Sequence, residues 1–251
     1  KRMRQNLQNL RRIENTDMNR LKKNTAYYHL PGLFEFYELY RIFLPLFREH
    51  REYFYDWCGI GSIYGAPADC IWGGGRIGSG EHGVQEVMNL MSEYGISARL
   101  TFSNSLLREE HLADEKCNAL CKAFNESEGM RNAVSNGVIV HSDLLAGYMK
   151  KHYPNMHFDF HAHNDYDLAV SNVLAAVLSG AKGLHTTING LGERAGNAPL
   201  SSVQAILKDH FNAITNIDEG RLNEVSRVVE SYSGIAIPAN KPIVGENVFT
   251  Q

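Results

Sequence analysis

The sequence predicts an α/β protein, a (β/α) TIM-type barrel that is incomplete or chimeric and is preceded by a helical N-terminal extension. Three observations predict it. Short apolar runs suited to buried strands alternate with amphipathic stretches of helical period, the length of 251 residues suits one barrel-sized domain, and the composition is that of a globular chain. The strand-like runs are Tyr53–Trp57, Ala98–Phe102, Gly137–Val140, His157–Phe160 and Gly183–Thr187. The amphipathic segments fall near 82–94, 111–125, 143–152, 167–179 and 199–211. Strand, helix, strand, helix implies a parallel sheet, and a parallel sheet needs helices on both faces or around its outside. The choice is therefore between a doubly wound sheet and a barrel. Five or six units are visible where a closed barrel has eight, hence an incomplete barrel.

Ahead of these units, residues 1–50 read as the helical extension and residues 51–251 as the barrel-like domain. Residues 1–24 carry eight Lys and Arg against Glu14 and Asp17, with Leu7, Leu10, Ile13 and Leu21 at helical spacing. This is expected to be a solvated amphipathic helix. Between Phe34 and Phe54 an aromatic and aliphatic stretch reads as buried core helix, kinked or ended at Pro45, which has no N–H to donate. The ends, Lys1 without an initiator Met and Val248–Gln251 without a closing turn, are expected to continue into further chain.

Composition narrows the function classes. Hydrophobic residues make up 43% and charged residues 21%, and no uncharged apolar run is long enough to span a bilayer as a helix. Twenty-five Lys and Arg against 28 Asp and Glu give a net charge of −3, so no global field invites nucleic acid. Four cysteines, Cys58, Cys70, Cys117 and Cys121, are too few for a disulfide scaffold, which points to reduced, buried thiols in the cytoplasm. Cys117 and Cys121 are one helical turn apart rather than at zinc-site spacing.

The chemistry concentrates in two stretches. In Phe158-Asp159-Phe160-His161-Ala162-His163-Asn164-Asp165, residues two apart on a strand share a face, so His161 and His163 point the same way. At the C-terminal end of a barrel strand that face looks into the mouth, where sites of this fold gather. Two imidazoles on backbones roughly 6–7 Å apart can chelate one divalent ion. The second stretch is Thr186-Thr187-Ile188-Asn189-Gly190-Leu191-Gly192-Glu193-Arg194-Ala195-Gly196-Asn197. It follows the next strand as a glycine-rich βα loop that permits positive φ and close ligand approach. Glu193 and Arg194 read either as ligand contacts or as a bracing ion pair. The run Gly73-Gly74-Gly75-Arg76-Ile77-Gly78 has the look of an anion cradle but matches no phosphate-loop pattern and reads as a turn. His141-Ser142-Asp143 holds triad residue types in succession, where side chains diverge.

His161-Ala162-His163-Asn164-Asp165-Tyr166-Asp167-Leu168-Ala169-Val170-Ser171-Asn172 together with Asn189-Gly190-Leu191-Gly192-Glu193-Arg194-Ala195-Gly196-Asn197-Ala198 closely resembles the 2-isopropylmalate synthases. These belong to the metal-dependent barrel family that also holds homocitrate and citramalate synthases and 3-hydroxy-3-methylglutaryl-CoA lyase. The resemblance runs from about Tyr153 to Gln251, and residues 25–150 show none. It implies a Claisen-type condensation of acetyl-CoA with a 2-oxoacid, in leucine biosynthesis 3-methyl-2-oxobutanoate, assisted by a divalent Mg, Mn or Zn ion. It also implies a homodimer as the working form. Residue by residue, it maps the metal to His161, His163 and Asn197, with Asn164 and Asp165 organising the loop around them. The stretch Tyr166–Val170 resembles the isopropylmalate and citramalate branches more than the lyase.

The chain also departs from that pattern. The family's first-strand Asp-x-x-x-Arg-Asp-Gly motif is missing, and Asp56, at the end of the first strand-like run, is the nearest substitute for its carboxylate ligand. Where the family carries Leu-Pro-Asp-Thr, this chain reads Ile139-Val140-His141-Ser142-Asp143, with Ser142 in place of the threonine. A different class of function, a non-catalytic α/β binding or scaffold protein, keeps the histidines without the reaction. Metal binding separates the two.

Overall fold

The computed structural model describes residues 25–73, 83–104, 106–127 and 135–248. The basic segment 1–24 and residues 74–78 of the glycine run lie outside them. The elements are β1 (Ala26–Pro31), α1 (Tyr37–Glu49), β2 (Cys58–Gly65), α2 (Val84–Tyr94), β3 (Ser97–Phe102), α3 (Glu115–Glu126) and β4 (Gly137–Val140). They continue with α4 (Asp143–His152), β5 (His157–His161), α5 (Ala169–Leu178), β6 (Gly183–His185), α6 (Leu200–Phe211) and α7 (Leu222–Ser233). The chain divides into two compact units, the first ending at Asp159 and the second running from Phe160.

In the first unit β1, β2, β3 and β4 pair in that order, all parallel. β5 begins on the free edge of β4, where His157 N–H donates to Asn136 O at 2.9 Å. Every new strand thus adds to the same edge. A doubly wound sheet reverses its strand order, so this progression decides for the barrel-type alternative. On β3 the pleat sends Ala98, Leu100 and Phe102 into the apolar core and Arg99 and Thr101 to the other face. Arg99 reaches over Gly137, where a Cβ would lie 2.1 Å from its Nη1, to meet Asp159 on β5 at 3.3 Å. Asp159 also takes His157 Nε2 at 2.9 Å. Burial opposes the Arg99 charge and lowers its pKa, and Asp159 counters that loss.

The helices begin and end for local reasons. Glu86 reaches back to Gly83 N–H at 3.1 Å at the start of α2, which stops at Gly95 with φ +65°. Asp114 caps α3 by accepting from Cys117 N–H at 2.8 Å, and Ser142 caps α4 by accepting from Leu145 N–H at 3.4 Å. Ser142 therefore serves the helix start. The core joins Trp72, Phe102 and Phe124, all fully buried, and Trp72 meets Phe102 edge-on at 5.4 Å while its indole N–H donates to His111 O at 2.7 Å.

Several expectations need correction. Within the supposed helical extension, Ala26–Pro31 is a strand, short and closed by proline, and it pairs with β2. Pro45 does not end α1, which runs on to Glu49. Nor is α1 core throughout: Tyr40 and Leu44 are buried, whereas Leu39, Ile42 and Leu46 are exposed. The Tyr40 hydroxyl donates to Pro31 O, and burial pushes its pKa up to about 12. The run Tyr53–Trp57 is not a strand; Arg51–Tyr53 is a 3-10 turn and β2 starts at Cys58.

In the strand order β5 is followed by β6 as its neighbour. α5 and α6 contribute Ala169, Val173 and Val203 to a small buried cluster with Ala162 and Ala198. Among the described residues no helix is long and apolar enough to cross a membrane.

Candidate functional site

His161 is the last residue of β5, and His163 follows it in an isolated antiparallel bridge to Asn197. The two imidazole rings lie 4.8 Å apart between centroids and are steeply inclined at 70°. A third ring joins them: His185, the last residue of β6, is 5.5 Å from His161 at 82°. The sequence reading missed His185. Its signal was available, since it ends a strand in the same way as His161.

The glycine-rich loop exists to bring Asn197 there. Asn189 (φ +59°), Gly190 (φ +73°), Arg194 (φ +55°) and Gly196 (φ +91°) all sit in the left-handed region. A Cβ on Gly192 would fall 2.3 Å from Asn197 Nδ2, and one on Gly196 would fall 2.2 Å from Gly190 O. The first glycine clears space for the Asn197 side chain, and the second lets the loop fold back on itself. Backbone bonds stitch the result: Asn197 N–H to Gly190 O at 2.9 Å, Asn164 N–H to Gly196 O at 2.9 Å, Ala198 N–H to Ala162 O at 3.2 Å and Thr187 N–H to Ala198 O at 3.1 Å.

Asn164 accepts from Ala169 N–H at 3.2 Å and so ties the histidine segment to the start of α5. Arg194 clamps Asp165 through three contacts of 2.9 to 3.1 Å. Arg194 thus braces the loop, with Asp165 rather than Glu193 as its partner. The guanidinium holds the Asp165 carboxyl below the usual carboxylate range, and the carboxylate in turn raises the Arg194 pKa.

Inside this frame polar atoms are buried without partners. His163 Nδ1, Asn197 Oδ1, Thr187 Oγ1, Asn189 Oδ1 and Ser201 Oγ all lack a hydrogen bond among the described residues. Buried polar groups are ordinarily paired, so such a set makes this a candidate ligand site. His163 and Asn197 are bridge partners, and one offers an imidazole nitrogen and the other an amide oxygen.

Asp56 lies in the exposed turn before β2, at the strand's N-terminal end. The expected strand Tyr53–Trp57 does not form around it. Among the described residues no three His, Cys, Asp or Glu side chains converge as a metal-binding group. Gly73 closes a buried 3-10 turn, and the rest of its glycine run lies outside the described residues.

A family profile described as HMGL-like matches residues 114–229, from the start of α3 through most of α7. The matched segment starts before Tyr153, where the sequence resemblance was expected to begin. Similarity to individual proteins extends further still. A homocitrate synthase of Sulfolobus acidocaldarius is 39% identical over 168 residues, covering 66% of this chain and 35% of that protein. A homocitrate synthase of Saccharolobus islandicus is 48% identical over 105 residues, 42% of this chain and 23% of that protein. A provisionally assigned (R)-citramalate synthase CimA of Methanopyrus kandleri is 32% identical over 169 residues, 66% of this chain and 33% of that protein. The chain spans about a third of the length of the first and third of these relatives. Among solved structures, the carboxyl transferase domain of Rhizobium etli pyruvate carboxylase, solved with oxamate and biotin, superposes with a TM-score of 0.54. The match has 14% identity over 88% of this chain and 35% of that one, and it speaks for the fold alone.

Proposed function

We propose that this chain carries the metal-binding part of an acetyl-CoA-dependent condensing synthase that joins acetyl-CoA to a 2-oxoacid. The observation that carries this reading is the pair of buried, unpartnered donors on bridged residues, His163 Nδ1 and Asn197 Oδ1, beside the His161 ring. Neutral imidazole and amide oxygen suit Mg, Mn or Zn, and His161, His163 and Asn197 would hold the ion. A divalent cation there would polarise the oxoacid carbonyl and stabilise the charge that develops on its oxygen. The chain's own part is positioning. Gly192 leaves room for the amide, Asn164 fixes the histidine segment against α5, and the Asp165–Arg194 clamp holds the loop in register. The four free thiols fit a reducing cytoplasm.

Homocitrate and citramalate synthases stand among the relatives, so three acceptor types compete, the third being 3-methyl-2-oxobutanoate of the isopropylmalate reaction. A series of 2-oxoacids differing in length and charge, tested for metal-dependent release of free CoA thiol from acetyl-CoA, ranks them.

Binding itself is tested by melting. A ligand at a hundredfold excess over its Kd adds about 2.7 kcal/mol of stability, so Mn²⁺ with a 2-oxoacid is expected to raise Tm. His163→Ala and Asn197→Ala are each expected to remove that rise while leaving the far-UV circular dichroism unchanged. A folded wild-type protein whose Tm ignores every metal and oxoacid would favour a binding or scaffold role without catalysis.

A further inference from the structure

We propose that Cys70 and Cys117 are an oxidation-sensitive dithiol, a modification site that closes to a disulfide and ties the exit of β2 to the first turn of α3. Their sulfurs lie 3.2 Å apart although the residues are 47 positions apart in sequence, and their relative exposures are 2% and 0%. A disulfide needs about 2.05 Å, so closure asks for a displacement of the sulfurs of about 1 Å.

Both sulfurs are held by fixed backbone. Cys70 precedes the 3-10 turn Ile71–Gly73, which is pinned on several sides. Gly73 N–H donates to Cys70 O at 2.9 Å, Asn104 Nδ2 donates to Ile71 O at 2.8 Å, and Ser103 Oγ donates to Gly73 O at 3.1 Å. Cys117 is set by the Asp114 cap in the first turn of α3. The approach of the two thiols is therefore built into the first unit.

Their chemistry is unequal. The contact with the Cys117 sulfur, together with the Trp72 and Gly73 N–H groups, favours the thiolate at Cys70 and, against burial, lowers its pKa. The same contact, with burial, pushes Cys117 up. Cys70 is thus the attacking sulfur. Its thiolate attacks one oxygen of hydrogen peroxide, the O–O bond breaks, and the expelled hydroxide takes a proton to give water and a Cys70 sulfenic acid. The Cys117 sulfur then attacks the Cys70 sulfur, the S–O bond breaks, and the Cys117 proton leaves with the hydroxide as a second water. Two thiols and one peroxide give one disulfide and two waters. A small dithiol reverses the change. Cys121, one turn further along α3, is buried with a raised pKa and stays a thiol, as does Cys58.

The test treats the whole chain with hydrogen peroxide, then denatures it in an alkylating agent. The thiol titre should fall from four to two, the intact mass should lose two hydrogens, and a peptide map should show Cys70 joined to Cys117. Dithiothreitol should restore all four. In Cys117→Ser, Cys70 should stop at a sulfenic acid that dimedone traps; Cys117→Ala is the alternative should the serine variant fail to fold. The oxidised wild type should melt higher, since the cross-link restricts the unfolded chain. A titre that stays at four, a cross-link through Cys58 or Cys121, or a lower Tm after oxidation would each overturn the proposal.

Discussion

From Leu33 to Met156 the buried apolar side chains form one connected cluster that includes Trp72, Phe102 and Phe124. From Ala162 to Val203 the corresponding cluster has five members, all alanine or valine. Polar dissatisfaction runs the other way. Of seven buried side-chain atoms without a partner among the described residues, five belong to the second unit: His163, Thr187, Asn189, Asn197 and Ser201. An unpaired buried group costs about 1–3 kcal/mol, and a thin core of small side chains has little to set against several of them. The larger apolar cluster thus lies in the first unit, and most of the unpartnered buried atoms lie in the second. The same division separates two kinds of buried polar chemistry. Arg99 and His157 both contact Asp159, while the His163 Nδ1 and Asn197 Oδ1 atoms have no hydrogen-bond partner among the described residues.

The comparison breaks first at Trp72. Trp72→Ala removes a fully buried ring and the indole bond to His111 O, and is expected to cost about 3–5 kcal/mol, read as a lowered urea midpoint. A loss below 1 kcal/mol would show that the large cluster is not what holds the first unit. Gly192→Ala comes next. Its Cβ would meet Asn197 Nδ2 at 2.3 Å, so about 1–3 kcal/mol is expected, together with a weakened metal-dependent rise in Tm. Intact metal response with normal stability would mean that the Asn197 side chain has another position open to it.

Thr187→Val should move the opposite way. It replaces an unpartnered buried hydroxyl by a methyl group, and the ligand-free protein is expected to gain about 1 kcal/mol in urea unfolding. A clear loss would show that Thr187 has a partner, and the contrast between units would shrink. The smallest effect belongs to the exposed clamp. Arg194 depresses the Asp165 pKa, so the contribution of this pair is present above the ordinary carboxylate pKa and is lost as pH falls through the depressed folded value. Arg194→Gln should return the Asp165 titration upward in carboxyl NMR and leave the global melting point in place.

Much of this was legible without coordinates. β4 and α4 fall on the expected residues Gly137–Val140 and 143–152, and β3 and β5 differ by one residue at an end, because apolar runs flanked by helix caps leave few alternatives. β1 escaped notice because Ala26–Pro31 is short, mostly exposed and closed by proline, so its pairing with β2 rather than its composition makes it a strand. The segment Tyr53–Trp57 differs for the converse reason, being aromatic yet largely exposed and turned, so Asp56 sits in a turn rather than at a strand end.

The βα alternation, the strand position of His161 and the glycine pattern around Asn197 can be read from the residues alone, since they follow from local periodicity and backbone freedom. Tertiary structure alone decided that strands add to one edge, that His163 pairs with Asn197, that His185 joins the imidazoles and that Cys70 meets Cys117. Those contacts join residues from 20 to 50 positions apart, and no local rule fixes a distance that only the packed chain brings about.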